Sequence, residues 1–147
     1  MRWLAVVLVS VLAAGSLAAC GDSKPKATEG GPIVAEAQIR SAYEKFFAGK
    51  TSVSDRVALL QNGSRFEGVI RGFASLPLAK NVSATVSSVT LQSANDAKVV
   101  YTVKLGDAAL PKLNGTAVRQ NGVWKVGNAS LCKLVSLQGS TPSACKS

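Results

Sequence analysis

The hydrophobic period of this chain changes once, near residue 80, and that change constrains the fold more than any other feature. From Ile39 to Phe73 apolar residues recur at helical spacing, and from Val82 onward they alternate. Strands that follow one another without intervening helices pair as antiparallel hairpins, because a parallel pair needs a long crossover. Helices gathered before such strands make an α+β domain. The period therefore predicts N-terminal helices packed on a bent antiparallel sheet of about four strands, with a short helix after it.

In the helical part, Ile39, Ala42, Tyr43, Phe46 and Phe47 fall at i, i+3, i+4, i+7 and i+8, which is one buried stripe. Pro32 suits the first turn, Glu36 and Arg40 form an i,i+4 pair on another face, and Gly49 is a natural stop. A second short helix starts near Ser52, carries Val53, Val57 and Leu60, and ends at Asn62-Gly63. Ser64-Arg65-Phe66-Glu67 has the pattern of a capping box opening a third helix, striped by Phe66, Val69, Ile70 and Phe73 and closed by Pro77.

Val82, Ala84 and Val86 share one parity, while Val89 and Leu91 share the other, so a β-bulge is expected at Ser87-Ser88. After a turn at Asn95-Asp96, Val99, Tyr101, Val103 and Leu105 alternate. A looser segment with Pro111 precedes a hairpin whose strands are joined by Asn121-Gly122, a pair suited to the two positive-φ positions of a tight turn. In that register Ala117 and Arg119 share a face with Trp124 and Val126. Ser130 is expected to cap a last helix bearing Leu131, Leu134, Val135 and Leu137.

Ahead of the domain stands a different kind of segment. Arg2 precedes an uncharged apolar run that passes through Gly15-Ser16 to Leu17-Ala18-Ala19-Cys20. This layout reads as a lipoprotein signal peptide over residues 1–19, cut before a cysteine that receives a diacylglyceryl thioether. An ordinary secretory signal is one alternative. An uncleaved membrane helix is another, but it requires about 20 apolar residues, more than the run supplies. Residues 20–32, rich in Gly, Pro and charge, read as the lipidated Cys20 and a flexible tether, leaving 33–147 as a single domain. Several acyl chains on Cys20 would hold the protein on the extracytoplasmic face of the cell membrane, since one chain alone binds only marginally.

With Cys20 committed to lipid, the other two of the three cysteines, Cys132 and Cys145, form an even pair in an exported chain and read as a disulfide. Closing such a loop contributes about 3 kcal/mol in the chain-entropy model. Two reduced structural cysteines are the alternative. The net charge of +9 is spread over single basic residues, among them Lys45, Arg56, Lys98 and Lys125, rather than gathered in a block. That spread argues against nucleic acid as a partner and reads as a solvated surface with non-specific affinity for anionic lipid.

The stretch Leu60-Gln61-Asn62-Gly63-Ser64-Arg65-Phe66-Glu67-Gly68, the edge Asn121-Gly122-Val123-Trp124-Lys125-Val126 and the following Ser130-Leu131-Cys132 resemble one family. It is the mycobacterial low-molecular-weight secreted antigen family, with its lipoprotein relatives in other actinobacteria, and the likeness spans roughly residues 33–139. The resemblance implies a fold similar to the nuclear-transport-factor and cystatin-like cone, in agreement with the order of elements above. It carries no functional residue onto this chain. Members without a lipobox are released, and this chain departs from them at Cys20.

Much chemistry is excluded outright. There is no histidine, which removes histidine-based triads, histidine general bases and most zinc sites. No catalytic residue, metal ligand or cofactor motif stands out, and the eight carboxylates include no close pair. A proton-transfer reading would need a buried carboxylate near Tyr43 or Tyr101, yet Glu44 and Asp55 lie off the apolar stripes and Asp96 and Asp107 lie at turns. The expectation is thus a non-catalytic module binding an unknown envelope protein or a small apolar ligand. Tyr43, Phe46, Phe47, Phe73, Tyr101 and Trp124 are the candidate lining of a pocket, and also what any core of this size requires.

Overall fold

A computed structural model of the chain describes residues 31–146. The signal segment 1–19, the lipidation position Cys20 and the tether up to Gly30 lie outside the described residues. Helix α1 (Pro32–Phe47) is followed by α2 (Val53–Leu59), a 3₁₀ turn (Gly63–Phe66), α3 (Glu67–Ala74) and a second 3₁₀ turn (Pro77–Asn81). Strands β1 (Val82–Leu91), β2 (Asp96–Leu105), β3 (Ala108–Ala109), β4 (Leu113–Gln120) and β5 (Val123–Val126) come next. Helix α4 (Asn128–Ser136) and a last 3₁₀ turn (Ser143–Cys145) complete the order. The domain is α+β, as its period predicts.

The sheet runs β1-β2-β4-β5, all antiparallel, with the two-residue β3 beside the end of β2. Its curl starts in β1. Val86 pairs with Tyr101 and Ser88 with Val100, leaving Ser87 as the extra residue of a bulge. A bulge increases local twist and bends its strand. Because Ser87 is skipped, Val89 and Leu91 stay opposite Val99 and Ala97, on the face that Val82, Ala84 and Val86 also occupy. At this bend Arg40 of α1 donates from Nη1 to the Val86 carbonyl at 2.5 Å and pairs with Glu36 at 2.8 Å. The helix is thereby fastened to the curl itself.

Helix α1 lies in the hollow, packed on β1 and β5. Its stripe Ile39, Ala42, Tyr43, Phe46 and Phe47 is buried as a set. Each large apolar side chain so placed contributes roughly 1.5–3 kcal/mol, so this stripe is a main cohesive element of the domain. Helices α2 and α3 pack on each other at one end. The segment after α2 returns to the sheet, where Leu60 bridges Val126 and the Gln61 amide donates to the Val126 carbonyl at 2.8 Å. The β4–β5 connection has Asn121 at φ 54° and Gly122 at φ 77°, the paired left-handed conformations a two-residue hairpin turn requires.

Three local expectations are corrected. Helix α1 ends through an extended Ala48, and the Gly49 amide then donates to the Val82 carbonyl at 2.8 Å, tying the helix end to β1. No capping box forms at Ser64. Asn62 turns left-handed and its carbonyl accepts from the Arg65 amide at 3.0 Å, so the chain enters α3 through a 3₁₀ turn whose amides face backbone acceptors. Glu67 pairs instead with Arg71. Ser130 does not cap α4 either: the helix begins at Asn128 after Gly127, which places Ser130 inside its first turn and leaves its hydroxyl for the core. Cys132 of α4 and Cys145 are joined by a disulfide, which pins the C-terminal tail against the last helix.

Candidate functional site

Four of the six aromatic residues singled out in the sequence meet in the hollow of the sheet. Tyr43 lies 5.0 Å from Tyr101 between ring centroids, Phe47 stacks on Tyr101 at 5.4 Å, and Phe46 meets Phe47 edge-on at 5.0 Å. Their mutual packing fills the space beneath the sheet rather than lining an open chamber. Phe73 stands at the rim of this group on α3, only half-buried. Trp124 does not join it. On β5 it borders an open groove of about 570 Å³ with Ile33 and Val34 from the start of α1.

The Tyr43 hydroxyl is held in a closed ring of hydrogen bonds. It donates to the Thr116 carbonyl at 2.5 Å and lies 2.9 Å from the Ser130 hydroxyl. The Thr116 amide donates back to Ser130 Oγ at 3.0 Å. With Tyr43 donating to the carbonyl, Ser130 donates to the Tyr43 oxygen, so donation circulates from one residue of β4 through α4 and α1 and returns. Such circuits polarise their members in a common sense and satisfy every group in a low-dielectric interior. Gly115 makes the approach possible, because a Cβ there would stand 2.5 Å from the Tyr43 hydroxyl and 2.6 Å from Ser130 Oγ.

Tyr101 is the contrast. It is fully buried and its hydroxyl has no hydrogen-bond partner. Burial disfavours the phenolate, so its pKa is pushed up to about 12, and that of Tyr43 is raised as well. Neither tyrosine faces an acid: among the described residues Glu44, Asp55, Glu67, Asp96 and Asp107 are exposed, and Glu36 is engaged with Arg40. The pair therefore has the chemistry of neutral hydroxyls in an apolar core.

The most unusual residue is one the sequence reading left on the solvated surface. Arg56 of α2 is 3% exposed. Its Nη2 donates to the Ala48 carbonyl at 2.8 Å, where the C-terminal end of α1 favours a cation. Its guanidinium carbon sits 6.0 Å from the centroid of Phe73. Its Nε is buried without a partner, and no carboxylate pairs with it among the described residues. Burial lowers its pKa from the usual arginine value, the only cause acting on it. Arg56 also borders a small enclosed cavity whose other walls are Phe46, Phe47, Ile70, Phe73, Leu131 and Leu134, all apolar. The signal was in the sequence, since position 56 falls at i+3 from Val53 and i−4 from Leu60, on the buried stripe itself.

A second open cleft, of about 500 Å³, lies where α4 meets the outer face of the sheet and is bordered by Lys98, Asn114, Thr116 and Lys133. Two lysines stand at its border, while most of its lining, which includes Val99, Val100 and Ala129, is apolar like that of the α1–β5 groove.

A curled antiparallel sheet closed by helices, with an aromatic core and no acid at its tyrosines among the described residues, defines a small α+β domain of the half-barrel class. More particularly, the chain belongs to the low molecular weight antigen MTB12 family: residues 32–142 match the C-terminal domain of that antigen. Membership makes it a secreted-antigen-like protein. No curated protein matches the chain.

Proposed function

We propose that the protein is an envelope lipoprotein, anchored through Cys20 on the extracytoplasmic face of the membrane, whose domain is a non-catalytic binding module. The observation that carries the anchor is Leu17-Ala18-Ala19-Cys20 placed directly behind an apolar run. The domain's own residues are compatible with that address. Its first helix begins at Pro32, leaving a short polar tether after Cys20, and Cys132 and Cys145 are paired as an oxidising compartment favours. Among the described residues no helix is long and apolar enough to cross a membrane.

Binding rather than turnover is supported by the state of the core. The aromatic interior is filled, its hydroxyls are neutral, and among the described residues the acids that general acid–base chemistry would use stand at the surface or, in the case of Glu36, are paired with Arg40. The alternative within this reading, a carrier of a small apolar ligand, draws on the open groove bordered by Ile33, Val34 and Trp124, since the space beneath the sheet is filled. Intact-mass measurement of the chain purified from its own membranes tests the anchor. A mature N-terminus at Cys20 carrying acyl groups is expected, with release of the Cys20→Ser variant from the membrane. An unmodified N-terminus refutes it. A pull-down with the lipidated protein then addresses the partner.

A further inference from the structure

Large apolar side chains left in water call for a partner when they gather in one place. Among the described residues six are exposed, and three of them, Ile33 at 84%, Val34 at 47% and Val123 at 56%, border the groove between α1 and β5. The other three, Leu76, Leu78 and Leu137, border neither this groove nor the cleft beside α4. Trp124 borders the groove and also a second opening, which it shares with Pro32 and Arg119. Lys45 and Arg119 are the charged residues of these two linings, and no acid borders either.

The place of this face in the chain says what covers it. Ile33 and Val34 open α1, and ten residues separate Cys20 from Gly31 at the helix N-cap. A chain of that length reaches at most about 40 Å, so an acylated Cys20 keeps the start of α1 close to the bilayer. The chemistry agrees, because apolar side chains leave water at the boundary of headgroups and acyl chains, and cations there meet anionic phosphate. We propose that the groove-bearing end of the domain, through Ile33, Val34 and Val123, docks on the membrane surface to which Cys20 is anchored, with Lys45 and Arg119 supplying positive charge toward anionic headgroups. Three aliphatic side chains would hold a free protein only weakly. On an anchored chain docking is intramolecular, and a weak attraction is enough to populate it. The inference rests on the reading of Cys20 as the lipid anchor and adds which face of the domain lies on the membrane.

The test uses the chain from residue 20 on with its Cys132–Cys145 disulfide intact, which leaves Cys20 as the one free thiol for coupling to a maleimide lipid. The vesicles are phosphatidylcholine and phosphatidylglycerol in equal parts. Chemical coupling replaces acylation, so docking is read whether or not the native chain is acylated, and intact mass decides the anchor separately. Trp124, the single tryptophan of this chain, borders the face and reports contact. Lipids brominated near the headgroup end of their acyl chains are expected to quench its emission about twofold against unbrominated vesicles, since docked apolar groups sit roughly 5–10 Å into that boundary. Ile33→Ser and Val123→Ser together should remove most of the quenching, while Leu137→Ser, at an exposed position outside the groove, should leave it unchanged. An unquenched Trp124 in the unsubstituted chain overturns the proposal and needs no variant to fold. Undiminished quenching in the double variant with the parent's urea midpoint overturns it too. Quenching that rises with protein density on the vesicle assigns the face to a second copy. Quenching of the uncoupled Cys20→Ser chain by a brominated alcohol, with none by the vesicles in the coupled chain, assigns the groove to a small ligand. Either result overturns membrane docking.

Discussion

Replacing Tyr43 by Phe removes one oxygen from the junction of α1, β4 and α4 while leaving the ring stack on Tyr101 and Phe47 in place. The Thr116 carbonyl keeps two donors afterwards, the Gly127 amide at 2.7 Å and Ser130 Oγ at 3.4 Å, so no buried acceptor is stranded. The cost should be that of an ordinary net hydrogen bond, about 1 kcal/mol. Ser130→Ala is different because it strips the Thr116 amide of its acceptor, and a stranded donor costs about 2 kcal/mol. Both substitutions delete the 2.9 Å contact between the two hydroxyls, so that contact is counted twice when the single effects are added. The double variant should therefore be less destabilised than the sum by about 1 kcal/mol. Urea unfolding followed by fluorescence provides the assay, since Trp124 is the single tryptophan after the signal segment and is buried on β5. Additivity within about 0.3 kcal/mol, or a larger loss for Tyr43→Phe than for Ser130→Ala, refutes the closed ring.

Both tyrosines of the chain are buried with raised pKa, so the folded state resists forming phenolate. Stability is whole below pH about 10 and declines above it, by up to about 1.4 kcal/mol per pH unit for each group, until Tyr101 reaches its folded value of about 12. Absorbance at 295 nm should accordingly rise together with loss of the fold, and a tyrosine that ionises near pH 10 in the intact protein contradicts this. Gly115→Ala forces a methyl group against Tyr43, Ser130 and Tyr101 and should cost about 1–3 kcal/mol, read as a lower urea midpoint with an unchanged slope. Replacing Cys132 and Cys145 together by Ala should cost about 3 kcal/mol and make the chain beyond Gly139 cleavable by protease; a midpoint equal to the parent's argues that the tail holds without the bond.

What the sequence disclosed and what it hid follow from how far each signal reaches. The stripe Ile39 to Phe47, the alternation through β2, the extra residue near Ser87 and the Asn121-Gly122 turn are local patterns, and local geometry decides them. Ser130 was opaque for the opposite reason. A serine before Leu131 suits a cap, but Tyr43, eighty-seven positions earlier, occupies its hydroxyl instead. Arg56 sat on a readable stripe, yet its charge argued for solvent, and only the crossing of α1, α3 and α4 encloses it. The six aromatic residues all belong to the core or pack against it, but only four stack on one another, since residue type does not say where in the core each one lands: Trp124 shares the core face of β5 with Val126 yet borders the groove against the start of α1.

Ser87 leads to a last consequence. With this residue excised, Val82, Ala84, Val86, Val89 and Leu91 would fall into unbroken alternation, every one still on the core side. The strand does not need Ser87 in order to pair or to bury its apolar residues. The residue is there for shape: it sets how far the sheet rolls over α1 and where the Val86 carbonyl is presented to Arg40. A one-residue edit at this position is thus a curvature dial, able to flatten or tighten the cradle while leaving its composition and pairing order untouched.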